Sequence, residues 1–250
     1  MPDDDFPWPD GKRCALSISF DDARPSNVAN GLPLLQARGV HATFYVLPSV
    51  MLAQGDGWKR ISAAGHELGN HTQLHPCSGN FPWSRHKALE DYSLERIEAE
   101  LLSANEEIER FCGTRPTTFA YCCGQKFVGR GRGARSYVPV VAEHFVVGRG
   151  FRDEIANDAG YCDLAQIAGV DFDGMDAAGM VARVEQAATA GGWLVFAGHD
   201  IGADCRQSVS ASALDALCRY AMDPQNGVWI DTVAVIGGHV ARSLRRGATA

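Results

Sequence analysis

The sequence predicts an α/β protein built on a mostly parallel sheet with helices outside, either open or closed into a barrel. Short runs rich in Val, Ile, Phe, Tyr and Thr alternate with stretches of helical periodicity, the order that strand-helix units produce. At 250 residues the chain suits a fold of this kind. Acid and imidazole side chains recur just where predicted strands end, which is where such folds gather their chemistry. No internal repeat, long linker or composition break divides the chain, so 1–250 reads as a single domain.

The elements follow in order. Residues 14–20 form a strand candidate running straight into Asp21-Asp22, and a helical stretch over 26–38 ends at Gly39, the residue type that best closes a helix. Residues 42–47 read as the next strand, 58–64 as a helix stopped by Gly65, and 67–70 as a short extended piece leading to His71. The clearest helix has Ser93 as N-cap, Glu95 in its first turn, an apolar stripe of Ile97, Leu101, Ile108 and Phe111, and Gly113 to close it. Beyond it, strands are expected over 117–121, 144–147, 163–168, 193–197 and 228–230, and helices over 177–190, 212–220 and 232–244.

Composition excludes several classes. Hydrophobic residues make up 46% and charged residues 21%, ordinary for a globular chain. A net charge of −7 argues against a nucleic-acid partner, which needs a basic face. The basic run over 126–135 reads as a solvated loop rather than an anion contact. No apolar run approaches the ~20 residues of a membrane span, and Met1-Pro2-Asp3-Asp4-Asp5 lacks the basic and hydrophobic regions of a secretory signal. The eight cysteines contain no C-x-x-C pair, so reduced thiols in a cytoplasmic protein are expected, with Cys122-Cys123 as packing residues.

Adjacent acids at a strand end are often only a turn. Asp21-Asp22 gains weight from Gly69-Asn70-His71-Thr72-Gln73-Leu74-His75-Pro76, where Gly69 and Pro76 rule against a long helix but a bend or single turn brings both imidazoles together. Two imidazoles and one carboxylate suit zinc, cobalt or iron, with positions open for water. His199 closes the run Trp193-Leu194-Val195-Phe196-Ala197-Gly198, and on its own it reads as a structural histidine paired with Asp200. Trp83, in the long segment 76–92, is equally a cleft wall for a sugar ring or a surface-packed residue.

Taken together, Ser19-Phe20-Asp21-Asp22-Ala23, His71-Thr72-Gln73-Leu74-His75 and Phe196 through His199 resemble the polysaccharide deacetylase family, carbohydrate esterase family 4. The resemblance implies a distorted (β/α) barrel of about seven strands. It makes Asp22, His71 and His75 the ligands of one divalent ion (zinc first, with cobalt, nickel or manganese compatible), Asp21 the general base and His199 the general acid. The implied partner is an acetylated oligosaccharide or polysaccharide, with Tyr121 and Trp83 as candidate contacts and the backbone N–H of Cys123 as oxyanion donor.

The family's third motif is Arg-x-Pro-Tyr, but Ala120 stands here in place of the arginine that pairs with the base, and Cys123 in place of the tyrosine. Asp21 is therefore expected to lack a cation and to titrate high, its acid limb moving down if arginine is restored at position 120. Val170-Asp171-Phe172-Asp173-Gly174 is the nearest match to the fourth motif, whose acid normally supports that arginine. A hydrolase of a small non-sugar amide or imide, a non-haem iron oxygenase and a non-catalytic carbohydrate-binding relative stay open as alternatives.

Overall fold

The computed structural model describes residues 6–247, so the N-terminal segment Met1–Asp5 that bears on a secretory signal lies outside the described residues. The strands are β1 (Cys14–Asp21), β2 (Thr43–Val46), β3 (Glu67–Asn70), β4 (Thr118–Ala120), β5 (Phe127–Val128), β6 (Arg135–Ser136), β7 (Val147–Arg149), β8 (Val170–Asp171), β9 (Trp193–Gly198), β10 (Asp200–Ile201), β11 (Ser208–Val209) and β12 (Val228–Ile230). Seven of them run side by side in the order β7-β4-β3-β2-β1-β9-β8, with β12 against the first residues of β1, and every pairing in this sheet is parallel. A parallel bridge from Arg149 to Ile167 joins the β7 edge to the segment leading into β8. The result is a distorted (β/α) barrel.

Strand alternation sorts the two faces of the sheet. Along β1, Leu16, Ile18 and Phe20 join an outer core with Leu35 of α1 (Leu32–Arg38), Ile61 of α3 (Asp56–Ala63), Val184 of α6 (Ala177–Thr189) and Leu217 of α7 (Ala211–Met222); α2 (Pro48–Gln54) lies between α1 and α3 in the chain. Ile97 and Leu101 of α4 (Leu94–Cys112) pack with Phe119 and with Val141 of α5 (Val138–His144). The alternate residues of β1, namely Ala15, Ser17, Ser19 and Asp21, occupy the opposite, interior face and are buried too. Ala15, Val147, Trp193 and Val195 meet Val233, Ile236 and Val240 of α8 (Val233–Gly247), which stoppers one end of the interior. The Glu67 carboxylate accepts the Ala234 N–H at 2.9 Å, capping the start of that helix. Asp21 terminates the other end, so interior side chains grade from apolar, through Ser, Thr and Glu, to the reactive acids.

Two strand expectations are corrected. Residues 144–147 are mostly the end of α5 and a connector, and the strand begins at Val147 and runs to Arg149. Residues 163–168 form a single turn, Leu164–Gln166, capped by the Asp163 carboxylate on Ala165 N–H at 3.0 Å; the true strand, β8, has two residues and is too short to show a period. The stretch 26–38 starts as a π-type turn, Asn27–Gly31, whose buried Asn27 amide donates to the His199 carbonyl at 2.8 Å. The basic run 126–135 folds into the antiparallel β5–β6 hairpin, with Arg130 paired to Asp91 at 2.7 Å.

Candidate active site

Asp21 is the last residue of β1, and the chain then turns through Asp22 and Ala23 at φ of 72° and 53°. This left-handed pair, uncommon for side chains other than glycine, sends the two neighbouring carboxylates to different partners. Asp21 is buried and ion-paired with the fully buried Arg149 at the end of β7. Asp22 puts Oδ1 3.6 Å from His71 Nε2 and 3.5 Å from His75 Nε2, while Arg24 holds its Oδ2 at 2.8 Å.

A second left-handed pair, Thr72 at φ 65° and His75 at 54°, folds the segment after β3 so that the two imidazoles meet with ring centroids 4.8 Å apart. Helix α4 holds this turn. The Asn70 amide donates to Asn105 Oδ1 at 2.7 Å and to the Leu101 carbonyl at 2.8 Å, its own Oδ1 accepts Thr72 N–H at 2.7 Å, and Glu100 accepts Leu74 N–H. His71 Nδ1 lies 2.9 Å from the Ala120 carbonyl. Since a carbonyl can only accept, that nitrogen carries the proton and Nε2 presents its lone pair towards Asp22.

On the far side, His199 follows β9 and places Nδ1 2.6 Å from Asp173 Oδ2, with Gln207 Nε2 3.2 Å from its Nε2. Asp200 is not its partner; that acid accepts from the Ser26 hydroxyl at 2.6 Å. Burial would depress the imidazole, but its hydrogen bond to Asp173 and the charge of Asp21 outweigh this and raise it above the ordinary histidine value. For Asp21 burial acts upward, yet Arg149, with His71 and His199, holds the carboxyl below the usual range. The expectation that Asp21 lacks a cation is thereby overturned.

Asp21, Asp22, His71, His75 and His199 line one cavity of about 530 Å³, together with Phe81, Trp83, Lys87, Cys123, Phe151 and Gln207. Trp83 stands 5.7 Å from the His75 ring, between ring centroids, and is 49% exposed. Tyr121 is elsewhere: its ring is buried among Phe119 and Tyr137 and its hydroxyl donates to the Ala165 carbonyl at 2.6 Å. Cys123, at φ 53°, is bonded to Cys77, two residues beyond His75, with the Cα atoms 6.4 Å apart. This disulfide corrects the reduced-thiol expectation for two of the eight cysteines. Sequence spacing concealed it because the partners arrive from loops after different strands, while Cys122 stays a free, buried thiol.

Compared with known proteins, residues 9–129 match the sequence model of the family described as polysaccharide deacetylase. Over that stretch, a little under half of its length, the chain is similar to that family. It is 32% identical over 98 residues to a chitooligosaccharide deacetylase of Rhizobium leguminosarum bv. trifolii, a stretch covering 39% of this chain and 40% of that one. The chain spans only 5% to 40% of the length of the curated relatives it matches. Among solved structures, a putative polysaccharide deacetylase from Mycobacterium smegmatis superposes with a TM-score of 0.68 at 16% identity, over 97% of this chain and 95% of that one. A Puue allantoinase superposes at 0.66 and 15% identity, over 93% and 91%. Both likenesses are of fold.

Against the family's motifs, the absent arginine is relocated. Ala120 and Arg149 are directly paired residues on adjacent strands β4 and β7, so Arg149 reaches Asp21 from the facing register position. Asp173, the acid of the poorly matched fourth motif, supports His199, while Asp171 pairs with Arg152 at 3.2 Å. The sequence contains both residues but nothing local marks Arg149, because the strand expected over 144–147 stops two residues short of it.

The donor set fits a divalent ion. Burial and the neighbouring His71 push the His75 imidazole down to about 4, so it is a neutral donor near neutral pH, and the Asp22 carboxyl, despite its burial, lies below the usual carboxylate range beside His71 and His75. Cys122 is also within reach, its Sγ and a nitrogen of each imidazole all within 4.8 Å of one another. Asp22 is the better third ligand: it faces the cleft, whereas burial drives the Cys122 thiol up and away from the thiolate a metal requires.

Proposed function

We propose that the chain is a metal-dependent deacetylase that removes an acetyl group from a carbohydrate. The observation that carries this reading is the convergence, in one cleft, of Asp22, His71 and His75 with an arginine-paired acid on one side and an acid-paired imidazole on the other. Asp22, His71 and His75 would hold the ion, zinc being the first candidate for a set of two imidazoles and a carboxylate. Such an ion supplies Lewis acidity, polarising the acetyl carbonyl and lowering the pKa of water.

The rest is done by the chain's own side chains. Asp21 is held ionised by Arg149 and takes the proton from the attacking water as a new carbon–oxygen bond forms. The backbone N–H of Cys123 donates to the oxygen that gains negative charge. His199 is kept protonated by Asp173 and delivers its proton from Nε2 to the departing nitrogen or oxygen. Phe81 and Trp83 offer a flat apolar face suited to a sugar ring.

Acetate release from N-acetylated oligosaccharides and O-acetylated xylan, with metal-loaded protein and His71→Ala as control, tests this. Release lost with chelator and absent from the variant supports the reading and identifies the bond. Release from a small cyclic amide alone would move the assignment to the non-sugar class, for which an allantoinase of this fold is a precedent. Oxygen-dependent turnover would replace the hydrolase with an iron oxygenase, and sugar binding without turnover would replace it with a lectin-like relative.

A further inference from the structure

Apart from its reaction centre, the cleft carries charge of one sign. Arg24, Lys87 and Arg152 line it, and the acids in its lining are Asp21 and Asp22. Two of the three cations are committed, Arg24 to Asp22 at 2.8 Å and Arg152 to Asp171 at 3.2 Å. Lys87 has no carboxylate partner among the described residues: its ammonium donates to the Leu74 carbonyl and lies 5.7 Å from the centroid of the Trp83 ring. On a chain of net charge −7, an unneutralised cation on the wall of a partly enclosed cleft attracts an anion.

The surface beside Lys87 is built to receive a ring. Phe81 and Trp83 are 39% and 49% exposed, with ring centroids 5.5 Å apart. Large apolar side chains left open together beside a reaction centre mark a ligand contact. The segment is also pre-ordered. The Ser84 hydroxyl donates to the Cys77 carbonyl and accepts the Cys77 N–H, both at 2.9 Å, and Ser78 is tied to Glu90 and Gln125. With Cys77 bonded to Cys123, little ordering cost is left for binding.

We propose that the substrate bears a carboxylate that pairs with the Lys87 ammonium, taking over from the Leu74 carbonyl, while its ring lies on Trp83 and Phe81. The proposal rests on the deacetylase reading and narrows it to acidic acetylated compounds of the uronic-sugar kind.

The test uses an N-acetylglucosamine disaccharide and the same disaccharide with its C6 hydroxymethyl groups oxidised to carboxylates. Each is titrated calorimetrically into zinc-loaded protein and assayed in parallel for acetate release. The acidic compound is expected to bind about tenfold tighter at low salt, as one charge-assisted hydrogen bond provides, with the ratio shrinking as salt is raised. In Lys87→Gln the ratio should fall to near one, and Lys87→Arg should restore most of it. Equal affinities, or a ratio that K87Q leaves unchanged, would overturn the proposal even if both sugars are deacetylated. A preference that follows Lys87 without acetate release from either compound would support the proposal and sink the deacetylase reading instead.

Discussion

Arg149 and Ala120 stand side by side on β7 and β4, and one buried guanidinium determines how Asp21 behaves. Arg149→Met would leave a buried carboxylate without its counter-charge, a loss of about 3–5 kcal/mol, with kcat/KM expected to fall on the order of a hundredfold or more; urea denaturation and acetate release measure the two effects. Adding arginine at position 120 to the intact chain is now expected to leave the acid limb in place and to destabilise the fold by about 1–3 kcal/mol through overpacking, because Ala120 is fully buried and the cation is already present. In the R149M background the same Ala120→Arg change should return part of the activity. For His199 the sign runs the other way. Asp173 raises its pKa, and its proton is needed, so activity is lost as pH rises through that value; Asp173→Asn should move the basic limb of kcat/KM to lower pH. An unmoved limb would remove His199 from the acid role. Asp21, Asp22, His71, His75 and His199 were legible in sequence because each abuts a recognisable motif or strand end. Arg149 was not, because its meaning lies in a register between two strands and beyond the expected end of its own.

At the scale of elements, the imidazole turn depends on a helix that contributes nothing to the chemistry. Asn105 on α4 holds Asn70, and Asn70 holds Thr72, so Asn105→Ala should cost about 1–3 kcal/mol by leaving a buried amide unpaired and should weaken metal binding roughly tenfold, read by competition with a chelating dye. The Cys77–Cys123 bond is separated by 46 residues along the chain; closing a loop of that size restricts the unfolded chain by about 4 kcal/mol. Cys77→Ser, or reduction of the intact protein with a dithiol, is expected to lower the thermal midpoint accordingly. Helix α4 could be read to the residue, since Ser93 and Gly113 cap it and its stripe keeps one period throughout. Segment 163–168 could not, because a capped turn and a two-residue strand share an apolar composition that spacing alone does not separate.

For the molecule as a whole, the barrel collects its reactive side chains from the ends of β1, β3, β7, β8 and β9, so the candidate metal set exists only once distant parts of the chain have packed. Ion binding and folding should therefore be linked. Zinc at a hundred times its Kd should stabilise the fold by about 2.7 kcal/mol, a rise of about 5–11 °C in the thermal midpoint for a chain of this size, reversed by chelator and absent in His71→Ala. The apolar stopper of α8, the polar middle of the interior and the acid-bearing mouth follow directly from β alternation once the parallel order is known. The displaced guanidinium also bears on how kinship is judged. A survey that scores relatives by arginine after the fourth strand would miss the cation this chain holds beside Asp21. Scoring the neighbouring strand's facing position as well would find it, along with any other chain that made the same exchange.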